Sequence, residues 1–331
     1  VEESTEESKI FGTPIIIYDQ PLVFWESAPY EYQRVFLETV DSSYFTYHSQ
    51  VHAGELDGKN ARQAAVALRA TYSQCLETLF ALIGAAIQAP WCPAGWILRY
   101  KNKQVEHLIA DINSQHPVIN AHGYACCTWD AVSNIIYPWP VEGIDRSQLI
   151  AASTMAMRSF AKDFIDPIYQ EEYNSLKHGL RARSSPWFLS FGLEDTPGVP
   201  AAPERMRTVA TSSYGTSYLR PENIKPHQWR LETQRSNWTP HDFALRIPLA
   251  VQLIENTITY LKIENGFDPK ELQIRGLTEG QVSTQLSRRA HSDSVRWSIG
   301  PNIGAEMLDD ISRDEILLHY REFAKRNQDI E

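Results

Sequence analysis

Residues 60–89 read NARQAAVALRATYSQCLETLFALIGAAIQA, from Asn60 to Ala89. This stretch decides the fold class. It has no internal Pro and one Gly, Gly84, and it is rich in Ala, Leu and Gln, which favour a helix. From Leu76 to Ile87 it is apolar almost all round, which predicts burial at the centre of a bundle. Pro90 and Pro93 end it. Glu77 is the one carboxylate in the apolar half. Ser73 and Arg69 share its face, one and two turns back. A buried carboxylate needs a partner or takes up a proton.

On the C-terminal side, Trp91 to Ile112 predicts a second helix, with Trp96, Ile97, Tyr100, Val105, Leu108 and Ile109 as its apolar positions. Trp129 to Ile136 predicts a short helix, stopped by Pro138 and Pro140. Asp145 is an N-cap for a helix through Leu149, Met155 and Phe160. Asp166-Pro167 marks a kink or restart, and Gly179 is placed to end the restarted helix. On the N-terminal side, Tyr30 to His52 has helical spacing, and Gly54 and Gly58 break it. Two β-rich runs, Ile15 to Tyr18 and Leu22 to Trp25, flank a turn signal at Asp19-Gln20-Pro21. Residues 1–9 are acidic, polar and expected to fray.

Strand-like character enters at Pro186 to Gly192 and returns at Ser212 to Arg220 and His227 to Gln234. Thr239-Pro240-His241-Asp242 then opens a helix running to about Glu264, with Pro248 as a kink. Residues 267–311 resist assignment. Ser312 to Glu315 is a capping box for a terminal helix ending near Lys325. The expected fold is mainly α: a multi-helix bundle with a small antiparallel β insertion near 186–235. One domain is expected, with its core in 60–180 and 239–265, the insertion in 181–238, and a C-terminal extension in 267–331.

The composition is that of a globular chain: 331 residues, 43% hydrophobic and 22% charged, which excludes general disorder. The net charge of -10 gives the chain as a whole no attraction for nucleic acid or anionic membrane. The longest apolar run, Leu79 to Ile87, falls short of the ~20 residues that span a bilayer, and no signal segment opens the chain. Cys75, Cys92, Cys126 and Cys127 include no CxxC pair, so they are expected to be reduced thiols in a cytoplasmic protein. No Gly-rich phosphate loop, GxSxG or HExxH occurs, and nothing implies a cofactor.

The polar stretch Glu171-Glu172-Tyr173-Asn174-Ser175-Leu176-Lys177-His178-Gly179-Leu180-Arg181 closes the first helical region. Asn174, Lys177, His178 and Arg181 are three and four residues apart, so a helix would carry them on one broad face. One reading is a phosphodiester site, with His moving protons and Lys and Arg neutralising charge. The other is a helix C-terminus whose cations complement the dipole while Asn bonds across to the bundle.

The buried helix carrying Leu76 to Phe80, the later helix ending Tyr173 to Gly179, and the helical setting together resemble the HEPN-like group of bacterial proteins. That group includes toxin–antitoxin and phage-defence members. The resemblance covers about residues 60–180 and 239–265. Catalytic members are metal-independent RNases with an Arg, four to six residues, and a His. Arg235 and His241 have five between them. The resemblance implies His178 or His241 as acid–base group. It makes Lys177 with Arg181 or Arg235 the phosphate-binding cations, and Asn174 and Glu77 the orienting groups.

Two further clusters stand beside this. His48, His52 and Glu55 lie at helical spacing and, with Glu77 or with His107 and Asp111, have the types for a metal in a bundle. The other reading is a solvated helix face. From Lys177 to Arg235 there are nine Lys or Arg against five Asp or Glu, an excess of four. With Trp187, Tyr214, Tyr218 and Trp229, that excess fits single-stranded nucleic acid, or an ordinary charged hairpin. The function stays open between an HEPN-like protein that binds or cleaves RNA and a non-enzymatic helical interaction protein, such as an antitoxin or defence-complex subunit. A metal-binding bundle ranks third. The partners expected are RNA or protein, with a homodimer allowed and no membrane.

Overall fold

A computed structural model describes residues 12–24, 29–123, 125–140, 142–178, 181–194, 196, 198–199, 201–225, 228–287, 291–304 and 312–328. The chain opens with the expected hairpin, β1 (Thr13–Ile17) antiparallel to β2 (Gln20–Phe24). Tyr18 turns it at φ 61°, a left-handed conformation that a non-glycine residue adopts rarely. The buried Gln88 side chain holds that turn. It accepts from the Tyr18 N–H at 2.7 Å and donates to the Tyr18 carbonyl at 2.8 Å.

The helix expected from Tyr30 to His52 is two: α1 (Pro29–Thr39) and α2 (Ser43–Gly54). Asp41 separates them, its carboxylate accepting the Ser43 N–H at 2.8 Å. α3 (Ala61–Gln88) has the extent that its composition predicts. Its Leu68, Tyr72, Cys75, Leu79, Phe80 and Ile83 are fully buried. Gly84 has a packing reason. A Cβ there would meet the Trp96 ring at 2.4 Å, so the indole lies directly against the α3 backbone. Among the described residues, α3 is the one helix long and apolar enough to cross a membrane, and 78% of its apolar window is buried within the protein.

The helix expected over 91–112 is also two, α4 (Pro93–Arg99) and α5 (Asn102–Asn113). Tyr100 and Lys101 are extended between them, and the Gln104 side chain accepts the Lys101 N–H at 2.9 Å. That local bond competes with helix continuation. A short pair, β3 (Val118–Ile119) with β4 (Ala125–Cys126), precedes α6 (Trp129–Ile136). α7 (Arg146–Phe164) is capped by Asp145, as the sequence predicts, and α8 (Pro167–Lys177) restarts at the expected Asp166-Pro167, where the Asp166 side chain also caps it. Gly179, the expected terminator of α8, lies outside the described residues.

The β region is larger than expected. It comprises β5 (Ala182–Ser184), β6 (Trp187–Phe191), β7 (Arg207–Ser212), β8 (Gly215–Lys225) and β9 (Gln228–Trp238). α9 (Pro240–Glu264) follows, and Pro248 sits inside it. Thr239 precedes α9, but its side chain makes no capping bond. The unassigned stretch 267–311 contains α10 (Glu279–Gln285) and β10 (His291–Gly304). α11 (Arg313–Gln328) closes the described chain behind the expected Ser312–Glu315 capping box.

The principal sheet is antiparallel in the order β10-β9-β8-β5, and β6 and β7 form a separate hairpin. The β insertion expected near 186–235 is therefore corrected in two ways. It begins at Ala182, and its sheet is completed by a strand more than fifty residues downstream. β9 has two edges of backbone donors and acceptors, and β10 covers the one that β8 leaves open. The fold is mainly α with a substantial antiparallel part.

The sheet lies on α8. From β8, the Tyr218 hydroxyl donates to the Ile168 carbonyl at 3.4 Å and Arg220 pairs with Glu171. Thr216 and Trp238, on the same sheet face, reach Glu172. α3 packs along α9, with α2, α6, α7 and α8 around the pair. Phe243 of α9 stacks on Tyr72 of α3 at 5.2 Å between ring centroids.

Candidate functional site

Two opposed pairs of charges join α3 to α8. The first is Arg69 with Glu172, 2.9 Å apart, both side chains fully buried. The Arg69 Nη1 donates to Ser73, and the guanidinium lies 4.0 Å over the Tyr169 ring. Glu172 also accepts from the Thr216 hydroxyl, and from the Trp238 indole at 2.8 Å. Its charge is thus met by one cation and two neutral donors, which is what an interior carboxylate requires. Burial disfavours the Arg69 charge, but Glu172 and the adjoining tyrosines outweigh it and raise the guanidinium above its ordinary pKa.

Next to this pair, the Tyr72 hydroxyl donates to Asp163 at 2.6 Å, and Arg246 of α9 reaches the same oxygen at 2.9 Å. Burial first, and the Asp163 charge second, hold the Tyr72 phenol well above its usual range.

The second pair is Glu77 with Lys177, at 3.1 Å. Tyr173 donates to the Glu77 carboxylate at 2.8 Å and Asn102 at 3.0 Å. Glu77 is only half-buried, which corrects the expectation that it is the interior carboxylate. Arg69 and Ser73, which share its face of α3, bond Glu172 and each other instead. The physical reason is the sheet. It covers the α8 face that carries Glu172, while position 77 of α3 borders an opening between α5 and α8. Burial, then the Glu77 charge, raises the Tyr173 phenol far above its ordinary value.

That opening is a cleft of about 550 Å³ between α3, α5, the end of α7 and α8. Tyr100, Phe164, Tyr169 and Tyr173 supply rings, and Glu77, Asn102, Glu106, Asp163 and Asn174 supply polar groups. Burial raises the Glu106 carboxyl above its usual range, with His107 and Lys103 opposing and Glu77 adding to the rise.

The candidate residues do not converge on this cleft. Glu77 and Asn174 line it, and Lys177 reaches Glu77. His178 is the C-cap of α8, its N–H donating to the Asn174 carbonyl at 3.2 Å. Arg181 follows at the entry to β5, where its carbonyl accepts the Leu219 N–H. The side chains of Asn174, His178, Arg181 and Arg183 are partly or fully exposed, and they make no ion pair or side-chain hydrogen bond with the described residues. Arg235 lies on β9 opposite Ser217, on the sheet face away from α8. His241 is exposed in the first turn of α9. The residues between Arg235 and His241 divide between extended strand and helix, so the two do not share a helical face.

The clusters outside this region are also dispersed. His48 and His52 lie side by side on α2 with their rings tilted and centroids 5.6 Å apart, and Glu55 is the C-cap of that helix. Burial, then His48, lowers the His52 pKa. His107 packs on Tyr18, and Asp111 accepts the Tyr18 hydroxyl. No group of three or more His, Cys, Asp or Glu among the described residues is placed to hold a metal. Of the aromatics expected to stack on bases, Tyr218 is buried, and Tyr214 is half-buried with its hydroxyl on the Leu56 carbonyl. Trp187 and Trp229 lie outside the described side chains.

Sequence reasoning missed Glu172 as the buried acid, and it missed Glu106. The signal for the first was present. Tyr169, Glu172 and Ser175 fall three apart and form the buried stripe of α8, and Arg69 falls within the buried stripe of α3. Lone opposite charges on two apolar stripes predict each other. The chain matches no protein-family model, no curated protein and no solved structure.

Proposed function

We propose that the chain binds RNA at the junction where α8 ends and β5 begins. The observation that carries this reading is the set of His178, Arg181 and Arg183, exposed within six residues and free of anionic partners among the described residues. Elsewhere in the same basic region, Arg220 and Arg230 are neutralised by Glu171 and Glu222. Unpaired cations on a chain of net charge -10 fit a local phosphate contact rather than general attraction. The helical bundle is, in this reading, the scaffold that presents the junction.

An imidazole and two guanidinium groups within six residues also have the composition for metal-independent strand cleavage. His178 would take the proton of a ribose 2′-hydroxyl as that oxygen attacks the neighbouring phosphorus and the 5′-oxygen leaves. Arg181 and Arg183 would offset the charge on the phosphate oxygens. The test is fluorescence anisotropy with a labelled single-stranded RNA across a salt series. Binding that weakens with salt, with a slope smaller by about one for each Arg removed, supports the reading. Binding unchanged in an Arg181→Ala/Arg183→Ala variant, or absent at low salt, overturns it. RNA left intact by the parent chain in the presence and absence of EDTA, or cleaved equally by His178→Ala, overturns the cleavage step alone.

A second reading rests on α2. Tyr44, Tyr47 and Val51 are 49%, 64% and 43% exposed and lie on one outward stripe with His48. An exposed aromatic stripe fits a protein partner. Sedimentation of the parent chain and of Tyr47→Glu tests whether that partner is a second copy. A monomer at high concentration that also captures no other chain counts against it.

A further inference from the structure

The cleft beside α8 is separate from the RNA reading. Three acids line it, and two of them are already matched. Lys177 holds Glu77, and Arg246 holds Asp163. Glu106 is not matched. It is half-buried, and it makes no ion pair or side-chain hydrogen bond with the described residues. His107 and Lys103 offset its charge only from beyond ion-pair distance, and a partly desolvated carboxylate with no direct partner is unfavourable. The Asn174 amide on the facing helix is likewise unengaged.

The rest of the lining suits a cation. Tyr100, Phe164 and Tyr173 present rings, and ring faces attract positive charge. The Lys177 ammonium already lies 5.0 Å from the Tyr173 ring centre. Hydrogen bonding narrows the choice. The Glu106 carboxylate and the Asn174 side-chain oxygen both accept N–H bonds, which a primary ammonium head supplies and a trimethylammonium group cannot.

We propose that this cleft binds the primary ammonium group of a small organic cation. Glu106 takes the charge, the Asn174 side-chain oxygen accepts one N–H, and Tyr100 and Tyr173 flank the adjoining methylenes. No bond is made or broken.

n-Butylamine is the probe, titrated by calorimetry into the full chain at neutral pH. 1-Butanol tests the need for charge, and butyltrimethylammonium tests the need for N–H donors. Saturable butylamine binding at about millimolar concentration or tighter is expected, with both analogues at least about tenfold weaker. Glu106→Gln is expected to lose about tenfold or more while keeping the circular dichroism of the parent and its affinity for RNA. Asn174→Ala is expected to lose less. Absence of saturable butylamine binding overturns the proposal. So does equal binding of butanol or of the quaternary ion, or unchanged affinity in folded Glu106→Gln. RNA affinity that falls with Glu106→Gln would instead join the cleft to the phosphate surface and overturn the separation drawn here.

Discussion

Arg69–Glu172 and Glu77–Lys177 join the same two helices with the signs reversed. On α3 the cation precedes the anion by eight residues, about 12 Å along the axis. On α8 the anion precedes the cation. The pairs follow the same order along both helices, yet their surroundings differ. Glu172 lies under the sheet and has donors from α3, β8 and β9. Glu77 lies at the rim of a cleft, with Lys177 43% exposed beside it. The first pair ties three parts of the fold to one interior point. The second trims a surface, and beyond it come His178, Arg181 and Arg183, whose side chains pair with none of the described residues.

The largest expected effect tests the buried pair. Glu172→Ala should destabilise the chain by about 3–5 kcal/mol, because it strands the Arg69 charge in the interior. Urea unfolding measures this. A double-mutant cycle with Arg69→Ala should give a coupling of about 2 kcal/mol or more, and the matching Glu77/Lys177 cycle under about 1 kcal/mol. Similar couplings would remove the contrast.

Gly84→Ala tests the interior two turns beyond Glu77. Helix propensity favours alanine by about 1 kcal/mol, but the new methyl must displace Trp96, and overpacking costs about 1–3 kcal/mol. Net destabilisation with altered tryptophan fluorescence is expected. A net gain would mean that the indole yields freely.

Lys177→Ala should change stability by less than about 1 kcal/mol, since Lys177 is exposed and Glu77 keeps its bonds to Tyr173 and Asn102. A loss on the scale of Glu172→Ala would place this pair among the structural ones.

The smallest effect has the opposite sign. Burial raises the Glu106 pKa, so the folded chain holds that proton more tightly than the unfolded chain does. Its favourable contribution is complete below the unfolded pKa and is lost as pH rises through the folded one. Glu106→Gln should therefore stabilise the chain at neutral pH, by less than about 1 kcal/mol given its exposure. The gain should disappear in acid. A destabilised variant at neutral pH would mean that Glu106 has a partner.

Much of the helical part was legible. Residues 60–89, the cap at Asp145, the restart at Asp166-Pro167 and the Ser312–Glu315 box are local signals, and the helices follow them. Breaks within apolar periodicity were not legible. Asp41 and Gln104 take the backbone N–H groups of Ser43 and Lys101 and so start a new helix at each break, while the spacing of apolar residues runs on across it. β10 was also hidden, because its pairing depends on β9 more than fifty residues away. For the candidate site, the polar residues of α8 were picked out by type and spacing. Their division into a strut, a cleft wall and a free end was not.

The amino-acid sequence by itself determined that the chain is mainly helical, that a long apolar helix lies inside it, and that α8 carries a dense polar stretch ending in cations. These follow from propensity, periodicity and capping, which act over a few residues. Only the tertiary structure decided which carboxylate is buried. Glu77 and Glu172 are the same chemical group on two packed helices, and what separates them is whether the sheet covers them or a cleft leaves them open. That depends on how strands from two distant stretches lie across α8, and desolvation is set by everything that surrounds a group in space.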